Sequence, residues 1–179
     1  GAAGPHSYTY SASGDTLTET CSNNCGYSAE ATLKLKPDAD LTYTGSPITP
    51  MEMVYPEGWA GEKKQPADTD YTNNVNVGTN TASCSFTYAD GATVSNTFTI
   101  NPANLSYTTV TLDPASGTYT GSVHNRPTYT LTYNGKQLVE GTDYIVDANW
   151  SGDFTNVGSC NLILKGNGNF TGYKTLTYT

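Results

Sequence analysis

Along this chain apolar and polar residues alternate in short runs that end at Gly, Asn, Asp or Pro. No window carries the apolar stripe of an amphipathic helix. The clearest run is "TYTLTY" at 128–133, which places Tyr129, Leu131 and Tyr133 on one face and threonines on the other. Asn134-Gly135 follows it, the dipeptide that accepts positive φ at both centres of a type I′ turn, and predicts a hairpin. "QLV", "DYIVDAN", "SCNLIL" and "YKTLTY" predict further strands, with "KGNGNFTG" a Gly/Asn connection between the last two. Upstream, "SCSFTY-ADG-ATVSNTFTI" predicts a long hairpin whose turn is supplied by Asp90-Gly91. Near the start, "YTYSASGDTLTET" predicts one strand that turns through "SNN" and returns as "YSAEATL". Roughly six or seven short strands in some seventy residues is the pattern of a small β-sandwich.

The pattern occurs twice. "LKP" at 35–37 returns as "LDP" at 112–114, and "TYTGSPITP" at 42–50 as "TYTGSVHNRP" at 118–127. "DTDY" at 68–71 matches "GTDY" at 141–144, and "NVGT" at 76–79 matches "NVGS" at 156–159. The offsets are 77, 76, 73 and 80 residues, so order is kept while loop lengths vary. The expected organisation of the 179 residues is an N-terminal hairpin segment over 1–32, a first unit over 33–104 and a second over 105–179.

Composition fits this all-β expectation and narrows the function. Charged residues make up 13% and the net charge is −8, with fourteen Tyr and a single Arg, Arg126. Nucleic-acid binding needs a basic face to displace counterions from phosphates, and this chain has none. No apolar run is long enough to span a bilayer as a helix. The chain begins at Gly1 rather than Met, and "GAAGPHS" lacks the basic and apolar regions of a signal peptide. Gly1 reads as a cloning remnant, and the whole as a fragment of a longer protein.

The repeated segments resemble the tandem Ig-like, mostly-β, Gly-rich repeats of Gram-positive bacterial cell-surface proteins, whose pattern runs Y-x-G, G-x-D-Y-x-V, N-x-G-T, G-x-G-N-Y-x-G. The second unit follows it through Tyr119, Gly121, Gly141, Asp143, Tyr144, Val146, Asn156, Gly158, Gly166, Gly168, Asn169, Phe170 and Gly172. The first keeps Tyr43, Gly45, Asp70, Tyr71, Asn76 and Gly78, then departs, with "TYADGATVSN" in place of the Gly-rich closing motif. The resemblance implies two Ig-like sandwiches in series at the cell surface. Such repeats serve as stalks and adhesive modules.

Cys21 and Cys25 flank "SNN", and three readings compete. Zinc needs four ligands, of which this pair supplies two and His6 a third. A redox pair calls for a C-x-x-C spacing in a βαβ context, which is lacking. A disulfide between two residues that face each other across the first non-turn pair of the hairpin is the expectation carried forward, with metal ligation and free thiols as its alternatives. Cys84 shares parity with Ala82 and Phe86, and Cys160 with Leu162 and Leu164, so both read as small buried hydrophobes. A catalytic thiol needs a His close by, and the only two, His6 and His124, fall in predicted loops.

The remaining chemistry is sparse. Asp38 with Asp40 and Asp68 with Asp70 are D-x-D pairs without the longer oxygen series of a calcium loop. Asp70 and Asp143 read as turn caps. Isopeptide cross-links would need inward-facing lysines among Lys34, Lys36, Lys165 and Lys174. Trp59 in "EGWAGE" and Trp150 in "NWSGDF" can stack on a sugar or anchor a partner, but the favoured reading is that each plugs one end of its sandwich. No nucleophile–base pair, phosphate loop or metal box occurs.

The function expected is therefore non-catalytic and without cofactor or metal. The chain is expected to be an extracellular, monomeric fragment held at the cell surface through other parts of its parent protein. There it acts as spacer or adhesive module toward host or cell-wall glycans or proteins. The alternative is a carbohydrate-binding module using Trp59, Trp150 or surface Tyr.

Overall fold

The computed structural model describes residues 6–23 and 25–179. Gly1, read above as a cloning remnant, and Asn24 of the "SNN" turn lie outside the described residues. The chain is all-β with several antiparallel sheets, its helical content among the described residues being two single 3-10 turns at Asp68–Asp70 and Leu105–Tyr107. It divides into two compact units. The first comprises Gly1–Leu41, Pro47–Asn74 and Gly78–Ile100, and the second comprises Thr42–Ser46, Val75–Val77 and Asn101–Thr179. The second begins at Asn101 rather than 105, and it takes in two short segments that the linear reading placed in the first.

In unit 1, β1 (Tyr8–Ser13), β2 (Thr16–Cys21), β3 (Ser28–Leu35) and β4 (Met51–Val54) form one antiparallel sheet in that order. Here the structure corrects the sequence reading. "YTYSASGDTLTET" is two strands, because Gly14 adopts φ +58 and turns the chain between Ser13 and Thr16. The N-terminal hairpin is thus β1–β2, and β2 pairs onward with β3, so residues 8–21 are an integral part of the sheet. A second sheet holds β5 (Tyr71–Thr72), β6 (Gly78–Ala89) and β7 (Ala92–Ile100). The β6–β7 hairpin closes at Asp90-Gly91 as expected, with Gly91 at φ +75. The inward residues of the two sheets, among them Leu17, Leu33, Met53, Cys84, Val94 and Phe98, form the core and are at most 3% exposed.

Unit 2 runs through β8 (Ala103–Asn104), β9 (Thr109–Asp113), β10 (Thr128–Tyr133), β11 (Lys136–Gln137), β12 (Tyr144–Ser151), β13 (Cys160–Gly166), β14 (Phe170–Thr171) and β15 (Tyr173–Tyr178). One sheet has the order β11-β10-β9 and another β12-β13-β15. The Asn134-Gly135 turn has φ +48 and +79, the left-handed pair that a type I′ turn demands. The "GNGNFTG" stretch is more than a connection. Within it β14 pairs in parallel with β8, an element too short to show an alternation. Leu131, Leu162, Leu164 and Leu176 fill the interior with Cys160, all at most 2% exposed.

Candidate functional site

Three places gather chemistry. The first, in unit 1, is built on β2, where Leu17, Glu19 and Cys21 share the inward face. A carboxylate in that row must be compensated by donors. The Glu19 side chain is fully buried and sits across from Tyr10 on β1 and the small Ala29 on β3. Its Oε1 accepts hydrogen bonds from the Tyr27 hydroxyl at 2.6 Å and the Ala60 N–H at 2.8 Å. Its Oε2 accepts from the Tyr10 hydroxyl and the Gly61 N–H, both at 2.9 Å. Burial pushes the carboxyl's pKa up, but the Tyr27 hydroxyl and the two backbone N–H groups outweigh it, and the net shift is downward. The same hydrogen bond holds Tyr27 protonated, its pKa pushed up to about 12.

This carboxylate ties the 56–62 loop to the sheet and thereby places Trp59. The indole is 6% exposed and packs at 5.1–5.8 Å from the rings of Tyr55, Tyr10 and Tyr88. Its Nε1–H points to the Tyr88 hydroxyl at 3.4 Å, and Lys64 lies 4.8 Å over the Tyr88 ring. Trp59 is buried in this cluster of rings. Glu19 was missed, although its parity with Leu17 and Cys21 was the available signal.

The second place is a cleft of about 120 Å³ in unit 2, lined by Tyr119, His124, Phe154, Val157, Cys160 and Tyr178, among others. Trp150 stands beside it, in β12 rather than in a loop. It is half-buried, with its ring edge-on to Phe154 at 5.8 Å. Phe154 stacks on Tyr178 at 5.7 Å, and the Arg126 guanidinium lies 5.7 Å from the Phe154 centroid. The rim is shaped by Asp153, whose Oδ1 accepts from the Thr155 and Asn156 N–H groups at 2.7 and 3.2 Å. Those bonds, Thr155 first, hold its carboxyl below the usual range. His124 and Cys160 line this one cleft, which the sequence did not suggest. The Cys160 thiol, however, is buried and donates to the Asp153 carbonyl oxygen at 3.4 Å, so it is placed to close a turn rather than to attack a substrate. The volume is well under the ~300–1,000 Å³ typical of small-molecule sites and suits one inserted side chain or ring.

The third place is the Cys21–Cys25 pair, at disulfide distance with Cα atoms 5.9 Å apart. The geometry differs from two residues facing across a hairpin. Cys21 ends β2 and its N–H bonds the Tyr27 carbonyl, while Cys25 lies in the connecting loop. His6 Nδ1 is 3.9 Å from Cys21 Sγ, and the ligand atoms of His6, Cys21 and Cys25 lie within 4.8 Å of one another. Only with the pair reduced would these three offer a metal a partial ligand set. Cys84 is buried beside Tyr71, and burial pushes its thiol up to about 11.

Two further carboxylates cap turns. Asp70 Oδ2 accepts the Ala67 N–H at 2.7 Å and Asp143 Oδ2 the Val139 N–H at 2.8 Å, while Asp38 is exposed in the turn after β3. Lys174 donates to the Ser106 and Thr108 carbonyls at 3.0 Å, and Lys34, Lys36 and Lys165 are exposed. No protein-family model matches the chain, and neither does any curated protein or solved structure.

Proposed function

We propose that the chain is a non-catalytic extracellular scaffold, a fragment of a bacterial surface protein with two tandem Ig-like β-sandwich domains, the first of which takes the N-terminal hairpin into its sheet, and that it acts as a stalk, spacer or adhesive module. The observation that carries this reading is Glu19. The one fully buried carboxylate among the described residues, surrounded by aromatic rings, has all four of its partners within its own unit and is used to hold a loop. A binding or catalytic carboxylate would keep a lone pair for its ligand. The repeated turn carboxylates Asp70 and Asp143 point the same way.

A second reading, a glycan-binding module, is favoured by one feature: Tyr119, 61% exposed, beside the Trp150–Phe154–Tyr178 rings. Screening the protein on a glycan array, followed by retention of Trp150→Ala and Tyr119→Ala on a column of any hit, tests both. A stalk or spacer expects no retention, and retention lost in both variants would establish the glycan-binding module instead.

A further inference from the structure

Unit 2 contains a ready comparison for its own exposed cleft. Its Thr42–Ser46 segment carries Tyr43, only 7% exposed, with the ring stacked at 6.2 Å on Tyr133 and edge-on at 5.5 Å to Phe170. The Tyr133 hydroxyl donates to the Tyr43 carbonyl at 2.7 Å, and Asn134 Nδ2 donates to the Thr44 carbonyl at 3.0 Å. The companion segment Val75–Val77 is read by one side chain. Asn169 Oδ1 accepts the Val77 N–H at 2.9 Å, and its Nδ2 donates to Asn76 Oδ1 at 3.1 Å. Two aromatics and two asparagines thus make a seat for a Tyr-Thr-Gly-Ser turn and an Asn-Val-Gly turn.

The same two motifs return as Tyr119–Ser122 and Asn156–Gly158, and there they are exposed: Tyr119 is 61% and Val157 89% accessible. The local geometry repeats. Thr44 Oγ1 accepts the Ser46 N–H at 3.2 Å and Thr120 Oγ1 the Ser122 N–H at 3.3 Å, while Gly45 and Gly121 sit at φ +87 and +79. Each turn also borders a residue that follows a long closing strand, through Tyr43 N–H to the Asn101 carbonyl and Gly117 N–H to the Thr179 carbonyl. Asn156 bonds Asp153 through Nδ2, which leaves unused in that bond the Oδ1 atom that Asn76 offers to Asn169. Both motifs meet at the small cleft, where the Tyr119 ring and the Val157 side chain stand exposed.

The geometry points to Tyr119–Ser122 together with Asn156–Gly158 as a docking surface for a further β-repeat of the unit 2 type, one that presents a Tyr-Asn-Gly hairpin and a Gly-x-Gly-Asn-Phe turn. This rests on the scaffold reading above and names its partner. A second free copy of the chain does not fit the surface, because its own seat is filled by Tyr43.

The test is a fusion of residues 1–178 to a second copy of residues 101–179, read by amide hydrogen exchange. Seating of Tyr119 and Val157 on the added copy slows Val157 N–H exchange at least about tenfold relative to the 179-residue chain, as expected of an amide drawn into a folded contact. Tyr119→Ala, or replacement of the added copy's counterpart of Asn169 by Ala, abolishes that slowing. In the original copy Asn169→Ala speeds Val77 exchange and serves as the control. Unchanged Val157 exchange in the fusion overturns the proposal, and so does an unfolded added copy behind a folded first 178 residues. Glycan retention would defeat the stalk or spacer reading while leaving the protection of Val157 as it is, so the two failures are distinguishable.

Discussion

At the scale of single residues the structure turns on Glu19. Its folded pKa is depressed, so it contributes stability that is fully present above the ordinary carboxylate value of 4.5 and is lost as pH falls through the lower folded value. The melting temperature should therefore drop on acidification below about pH 4.5, and Glu19→Gln should flatten that part of the profile, because the amide carries no titrating proton and satisfies fewer of the four donors at every pH. A variant whose acid slope matches that of the parent would show that other carboxylates dominate. The same substitution should let Tyr27 ionise below its present value of about 12, which absorbance titration of the tyrosines reads directly. Gly61 offers a second check. A Cβ there would run into the Tyr10 and Tyr88 hydroxyls, so Gly61→Ala should lower stability by roughly 1–3 kcal/mol, an overpacking cost measured by denaturant unfolding. Neither residue was legible as important. A lone Glu in a polar strand reads as surface, and only the parity of Leu17 and Cys21 beside it marked the inward face.

At the scale of elements, legibility followed turn chemistry. Asn134-Gly135 announced its hairpin because few other dipeptides accept positive φ at both centres cheaply, and Asp90-Gly91 did so through the glycine alone, at φ +75. Gly14 does the same work between β1 and β2, where the apolar parity passes from Tyr8, Tyr10 and Ala12 to Leu17 and Cys21, a shift that the single-strand reading did not use. The parity of Cys84 and Cys160 was readable because a period of two leaves no intermediate positions, and both lie inside. Partners distant in sequence were not readable: the parallel pairing of β14 with β8 and the carboxylate tie between β2 and the 56–62 loop depend on the assembled fold. For the Cys21–Cys25 element the loop is short, so removing both sulfurs as Cys21→Ala with Cys25→Ala should cost only about 2 kcal/mol on the chain-entropy estimate. Peptide mapping without reduction should find these two linked. Under native conditions Cys84, with its thiol raised to about 11, should resist alkylation until the protein unfolds.

At the scale of the whole molecule the recurrence of short segments in the sequence has an instructive limit. It located the repeated turns but not what they touch, because a motif such as Tyr-Thr-Gly-Ser specifies its own backbone while its surroundings differ: Tyr43 is buried where Tyr119 is exposed. The two tryptophans show the same limit, since both lay in polar, Gly-containing stretches and only the fold separates them. Trp59 is enclosed by three tyrosine rings, so Trp59→Ala should cost about 3–5 kcal/mol, in the range for a buried aromatic truncation. Trp150 is half-buried with its ring against Phe154, and its truncation should cost only about 1 kcal/mol, near the centre of ordinary single-site effects. Urea unfolding of the two variants measures both values side by side. If Trp59→Ala is mild, the ring is not core and the loop tied by Glu19 is free to present it to a ligand. If Trp150→Ala is as costly as Trp59→Ala, its ring is a structural member of unit 2, and the glycan-binding reading loses its best aromatic platform.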